Sequence, residues 1–448
     1  MALDRDEMNK RRQKREEQRK KLEKQQRQLR ARLMVAAVVI IICAVAIFAI
    51  TRGSSGSDPE VSTPTGMMST EAPTEEEATN PPDEPVTTIH IKAAGDLNVT
   101  DLVVASGRGT LGYDFTAAFM DVAPLLSNAD LTLMNFEGNL VGEPYGTDSA
   151  SAPQQLMDAL DAAGVDILQM ANSFSIYNGL IGLNQTLNNI RAAGIEPVGA
   201  FSSVEEFRES RGYTICDIQG IKVAVVAFTK GMGSLGLPEG SEQCVNKLYV
   251  DYDTTYQDVD YDGIRRILRN VASERPDVTI AMLHWGAEYN DTIFETQEDI
   301  VALMQKEGVD IIIGSHPHMV HEIKFDDAKN TLVAYSLGDF FGDATKGGTN
   351  YSIILDIEIS RDNVSGAMEI EGFTYTPIYT LSENECDGQR RVVRIDEAMA
   401  AYEVNFVDKV TKACYDKMVN ALERIEARVD PVAWKAKQEA LKAAAGEG

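Results

Sequence analysis

The stretches DVTIAMLHWGAEY (residues 277–289) and VDIIIGSHPH (residues 309–318) share one plan: an unbroken apolar run of strand length that ends on histidine. A short apolar run closed by turn residues reads as a strand buried on both faces, as in a mostly parallel sheet. TTIHIKAAGD, LTLMNFEGN, VDILQMAN, IKVAVVAF and TLVAYSLGD repeat the plan, with helix-period segments at 153–163, 180–193, 261–274 and 297–307 between them. The alternation predicts an α/β fold. Each run ends in a polar or glycine-bearing turn, the end at which open α/β sheets place their ligands.

Four of the five histidines, His284, His316, His318 and His321, fall within 38 residues, and the first three sit just past the buried runs. One histidine in such a place is an ordinary hydrogen-bonded residue. Three, with carboxylates at equivalent strand ends, form a donor set for Zn²⁺, Mn²⁺ or Fe²⁺. Asp96 and Glu137, at the ends of the first and second strands, supply the oxygens, although either alone would also serve as a cap or turn residue. Glu288, four residues after His284, is placed to act as a general base or to orient a ligand. His321 reads as a surface residue.

Outward from this region the chain changes character. Residues 1–32 hold thirteen Lys/Arg against six Asp/Glu, whereas the part beyond Arg52 holds 28 against 63, within an overall charge of −27. Between them, residues 33–50 (LMVAAVVIIICAVAIFAI) are eighteen uncharged positions, about 27 Å of helix and near the hydrocarbon thickness of a bilayer. Segment 33–52 is therefore expected to be a transmembrane helix, with the basic N-terminal side in the cytoplasm and the acidic bulk outside the plasma membrane. Cleavage after the small residues Ala44-Val45-Ala46 is the competing reading, but the charged stretch before it is longer than a signal peptide carries. Residues 53–85 are Ser, Thr, Pro and Glu without a basic residue and read as a disordered, self-repelling tether. The acidity argues against nucleic acid as a partner. Of the five cysteines, Cys43 lies in the apolar segment and the other four allow three disulfide connectivities, of which Cys216 with Cys244 and Cys386 with Cys414 has the shortest loops.

The motifs Gly95-Asp96, NFEG (135–138), Ala171-Asn172 with a following YNG (177–179), HWGAEY (284–289), GSHPH (314–318) and YSLGDF (335–340) together resemble the capsule-synthesis protein CapA family. The resemblance spans roughly residues 88–380. It implies a layered fold of the calcineurin-like metallophosphoesterase type over 86–380 and a role in synthesis, export or retention of poly-γ-glutamate, with residues 381–448 a helical extension. It implies metal ligation by Asp96, Glu137, His284, His316 and His318, and sets Asn172 beside Glu288 among the catalytic candidates. The chain departs from the family where an Asn-Asn-His run becomes Asn172-Ser173-Phe174 and the turn Asp becomes Tyr177. In that chemistry the histidine protonates the leaving oxygen, which phenylalanine cannot do. A family Gly-Asn-Phe has also become Gly338-Asp339-Phe340, whose extra carboxylate either helps to hold a cation or closes an Asx turn.

Two functions follow. One is a metal-dependent hydrolase or transferase acting on an extracellular polymer or phosphoester. The other is a membrane-tethered envelope factor that binds polymer or metal without turnover. In either case a strongly acidic ectodomain repels a polyanion such as poly-γ-glutamate at long range, so a divalent cation or a local basic groove has to overcome that field.

Overall fold

The computed structural model describes residues 85–385, 388–404 and 410–446. The basic segment, the expected membrane helix and all of the tether but Pro85 lie outside them. No helix among the described residues is long and apolar enough to cross a membrane.

The fold is mixed α/β, built on two sheets. The first has eight strands in the order Arg391–Arg394, Met368–Leu381, Tyr351–Asp362, Val86–Asn98, Leu131–Glu137, Ile167–Gln169 and Glu196–Val198, with Asp339–Phe341 paired beside the end of Val86–Asn98. From Val86–Asn98 to Glu196–Val198 the pairing is parallel, and towards Arg391–Arg394 it is antiparallel. The second has six strands, Ile323–Asp326, Thr331–Ala334, Ile311–Ser315, Val278–His284, Ile221–Thr229 and Thr214–Ile218, the middle four parallel. Parallel strands need both faces covered, which is why these runs are apolar throughout rather than alternating. Along Ile221–Thr229 the side chains of Ala224, Val226 and Phe228 share one core with Ile264, Ile267 and Leu268 of helix Tyr261–Ser273 and with Ile300 and Met304 of helix Glu295–Lys306.

The four expected helices form within two residues of their predicted starts, as Gln154–Ala163, Gly179–Ala193, Tyr261–Ser273 and Glu295–Lys306. The C-terminal stretch is less uniform than its helical pattern suggests. It begins with Arg391–Arg394, an edge strand of the first sheet, before helices Ile395–Glu403, Lys412–Val429 and Pro431–Gly446. The short-loop disulfide pairing fails at its first bridge, because Cys216 and Cys244 are buried free thiols. Their surroundings differ: Cys216, on Thr214–Ile218, feels Asp166 and Glu196, whereas Cys244 feels Glu205 and Glu206. Cys386 lies outside the described residues.

Candidate metal centre

Both sheets aim the carboxyl ends of their central strands at one buried cluster. In the second sheet Ser315 pairs with His284 across adjacent parallel strands, which brings the His284 and His316 rings to 4.3 Å between centroids. In the first, Asp339 lies opposite Asp96 where Asp339–Phe341 runs parallel to Val86–Asn98. Two glycines permit these approaches. A Cβ on Gly95 would overlap the carbonyl oxygen of Gly338, the atom that accepts the Asp96 N–H at 2.9 Å. A Cβ on Gly314 would strike the Tyr335 carbonyl, which accepts a 2.9 Å hydrogen bond from Trp285 Nε1.

The turn that carries the histidines is strained. His316, His318 and Tyr289 all have left-handed φ, at 93°, 59° and 56°, conformations that cost non-glycine residues about 1–3 kcal/mol each. They are held by hydrogen bonds from His316 N to Asp96 Oδ2 (3.1 Å) and from Tyr289 N to the Pro317 carbonyl (3.0 Å).

Asn135 organises the carboxylates. Its amide nitrogen donates to Asp96 Oδ1 at 2.8 Å and to Glu137 Oε1 at 3.0 Å. Its oxygen accepts from Asn172 Nδ2 at 3.1 Å, which fixes the nitrogen towards the acids. Asn172 also donates to the carbonyls of Phe136 and Gln169 and accepts the Phe174 N–H. Asn172, expected among the catalytic groups, thus holds Asn135 in place from a fully buried position.

His284 is fully buried, and its Nδ1 meets Thr229 Oγ1 at 3.2 Å. The Thr229 hydroxyl is donated to the Gly231 carbonyl, so its oxygen accepts from His284 Nδ1–H and leaves a lone pair on Nε2. That lone pair faces Glu137 Oε1 at 3.1 Å, an oxygen already accepting from Asn135. Two acceptors at this distance repel unless a proton or a cation lies between them.

The ionisation pattern agrees. Burial, then the charge of Glu137, pushes Asp96 up to about 7, and burial raises Glu137 to about 7. Burial lowers His284 to about 3 and holds His316 well below its usual value, so both imidazoles are neutral. Burial opposes the charged form of His318 too, but the carboxylates of Asp339, Glu137 and Asp96 outweigh it and raise its pKa well above the ordinary value. His318 Nδ1 lies 2.8 Å from Asp339 Oδ1 and 3.6 Å from Asp96 Oδ2.

Three donor sets have their atoms within 4.8 Å of one another: Glu137, His284 and His316; Asp96, His318 and Asp339; and Glu288, His316 and His318. The buried Nδ1 of His316 has no hydrogen-bond partner. Neutral imidazoles, crowded carboxylates and an unsatisfied ring nitrogen fit a divalent transition metal, which would replace the missing counter-charge.

The expected donors Asp96, Glu137, His284, His316 and His318 thus come together, and Asp339 joins them. Glu288 is exposed at the rim, beside His316 and His318. His321, expected at the surface, is buried, its Nε2 2.9 Å from the Asn290 carbonyl. Sequence reasoning quoted Asn135 and Tyr289 within motifs without giving them a role, and passed over Thr229. The Tyr289 ring stacks on His318 at 5.1 Å, and the Lys346 ammonium lies 3.5 Å from the centre of the same ring.

The family described as Bacterial capsule synthesis protein PGA_cap matches residues 90–344. Among curated relatives, the Bacillus anthracis "Capsule biosynthesis protein CapA" is 25% identical over 265 residues, 58% of this chain and 61% of that protein. The Bacillus subtilis "PGA biosynthesis protein CapA" is 22% identical over 264 residues, 56% of this chain and 63% of that one. The matches thus span about three fifths of those relatives' length. Similar solved structures include the calcineurin-like phosphoesterase YfkN of Bacillus subtilis (17% identity, 65% of this chain, 91% of that chain, TM-score 0.39) and a phosphatase of Mycoplasma pneumoniae (13%, 66%, 94%, TM-score 0.39). Likeness at that level carries no argument about chemistry.

Proposed function

Because the chain belongs to the bacterial capsule synthesis protein PGA_cap family, we propose that it is a membrane-tethered accessory factor in making or retaining a poly-γ-glutamate-type envelope polymer, and that its buried cluster holds divalent metal. The relatives named for capsule and PGA biosynthesis support the polymer. The observation that carries the metal is the convergence of three His and carboxylate donor sets on one buried cluster, where His316 Nδ1 has no hydrogen-bond partner. Glu137, His284 and His316 would hold one ion, and Asp96, His318 and Asp339 a second. When bound, such an ion polarises a carbonyl or phosphoryl oxygen and acidifies water. Asn135 orients the carboxylates, Thr229 fixes the His284 tautomer, and Glu288 at the rim can take a proton from an incoming nucleophile. Metal analysis of the purified full chain tests this: one or two transition-metal equivalents are expected, lost in His316→Ala and His318→Ala. No bound metal and no affinity for supplied Zn²⁺, Mn²⁺ or Fe²⁺ would overturn it.

A second reading, metal and polymer binding without turnover, is favoured by Phe174. Where the family has histidine, this ring packs against Tyr177 at 5.7 Å and has no proton to give. Hydrolysis of phosphoester or γ-glutamyl amide appearing only after Ser173→Asn with Phe174→His would select this reading, and hydrolysis by the unaltered chain would eliminate it.

A further inference from the structure

Far from the cluster, the surface holds a second concentration of charge, of opposite sign. A cleft of about 700 Å³ lies against helix Tyr261–Ser273 and the end of helix Glu295–Lys306, lined by Arg265, Arg266, Arg269 and Lys306 with only Asp262 and Glu307 as carboxylates. No apolar side chain lines it. Lys306 and Glu307 lead into strand Ile311–Ser315 at its start, the end remote from His316. Glu307 is engaged by Arg265 Nε at 3.3 Å and Arg269 Nε at 3.9 Å, and Arg265 also sits over the Tyr261 ring. Among the described residues neither Arg266 nor Lys306 has a carboxylate within ion-pair distance, and both side chains are exposed.

We propose that this cleft is a binding track for a linear polycarboxylate, separate from the metal centre. It rests on the polymer reading above and says where that polymer lies. The chain carries a net charge of −27, yet here four cations face one concavity. At physiological salt, charges beyond about 8 Å are screened, so the local patch decides what binds there. The cations are spread over residues 265, 266 and 269 of one helix and 306 of its neighbour. A single small anion meets only part of such a set, whereas a polymer offers successive carboxylates. Single exposed ion pairs are weak, so affinity must come from many carboxylates on one chain. The cations line a cleft rather than a flat face, which suits a linear chain lying along it, and anionic vesicles are the competing outcome of the test.

The test is fluorescence anisotropy of labelled poly-γ-glutamate with the full-length chain at several salt concentrations. The unaltered protein is expected to bind with a clear salt slope, and monomeric glutamate not to compete at equal residue concentration. Arg266→Glu with Lys306→Glu should weaken binding about tenfold or more and flatten the slope by about two phosphate-equivalent contacts. Arg266→Gln with Lys306→Gln should do the same to a lesser degree. Undiminished binding by both double variants, with unchanged circular dichroism, would overturn the track and leave the polymer reading standing. No polymer binding by the unaltered chain would overturn both, and capture of anionic lipid vesicles in its place would do likewise.

Discussion

Asn172 touches no metal donor directly, yet it decides which way Asn135 faces. With Asn172→Ala, Asn135 loses the donor that fixes its amide, and metal affinity is expected to fall about 10–100-fold, the usual effect of losing a ligand's supporting partner; chelator competition measures it. The titrating groups set the pH response of metal-free protein. Asp96 and Glu137, raised to about 7, bind more protons folded than unfolded, so their contribution is complete below about 4 and is lost as pH rises through 7. His284 and His316, held neutral, act in the opposite sense below about 6.5 and offset them there. Above 6.5 only the raised groups remain, His318 among them. Melting of metal-stripped protein should therefore shift to lower temperature from pH 6.5 to 8, and added metal should cancel the trend; a flat or rising profile would contradict this ionisation pattern. The histidines and the acids Asp96 and Glu137 were legible because each ends an apolar run. Asn135, Thr229 and Tyr289 were not, since their meaning lies in neighbours on other strands, as with Thr229 and His284, 55 positions apart.

At the scale of elements, strand Val86–Asn98 is the member both halves of its sheet depend on. It pairs in parallel with Leu131–Glu137 on one side and antiparallel with Tyr351–Asp362 on the other. Lys92 is 2% exposed on this strand, and its ammonium is paired to Asp356, its register partner across the antiparallel ladder. Asp356→Ala leaves that ammonium buried without a counter-ion, and should lower stability by about 3 kcal/mol, read by urea denaturation; Lys92→Met in the same background should recover part of the loss. Gly314→Ala is expected to be worse tolerated still, because its methyl group would displace the Trp285–Tyr335 hydrogen bond directly under the histidine turn. The parallel strands and their helices were readable from continuous apolar runs and a 3.6-residue period. The antiparallel pair Tyr351–Asp362 and Met368–Leu381 was not singled out. Its partly polar outer strand gives no continuous run, and only burial against the rest of the sheet reveals it.

For the whole molecule, the sequence of residues 1–85 reads as a basic segment, an apolar span and an acidic tether. Protease added to intact cells freed of their wall is expected to cut within residues 53–85 and release a soluble fragment; complete protection would reverse the proposed orientation. The folded part has its own order of events. The candidate metal centre joins strand ends far apart in the chain, Asn98 to Asp339 across 241 residues, so most of the domain must be synthesised before the last donor exists. Closing contacts of that separation come late in folding. An interaction absent from the transition state leaves the rate of folding almost untouched and slows unfolding. Bound metal should thus act on this protein as a latch rather than a nucleus: a chelator would shorten the lifetime of the native state many-fold while refolding proceeded at nearly its former speed.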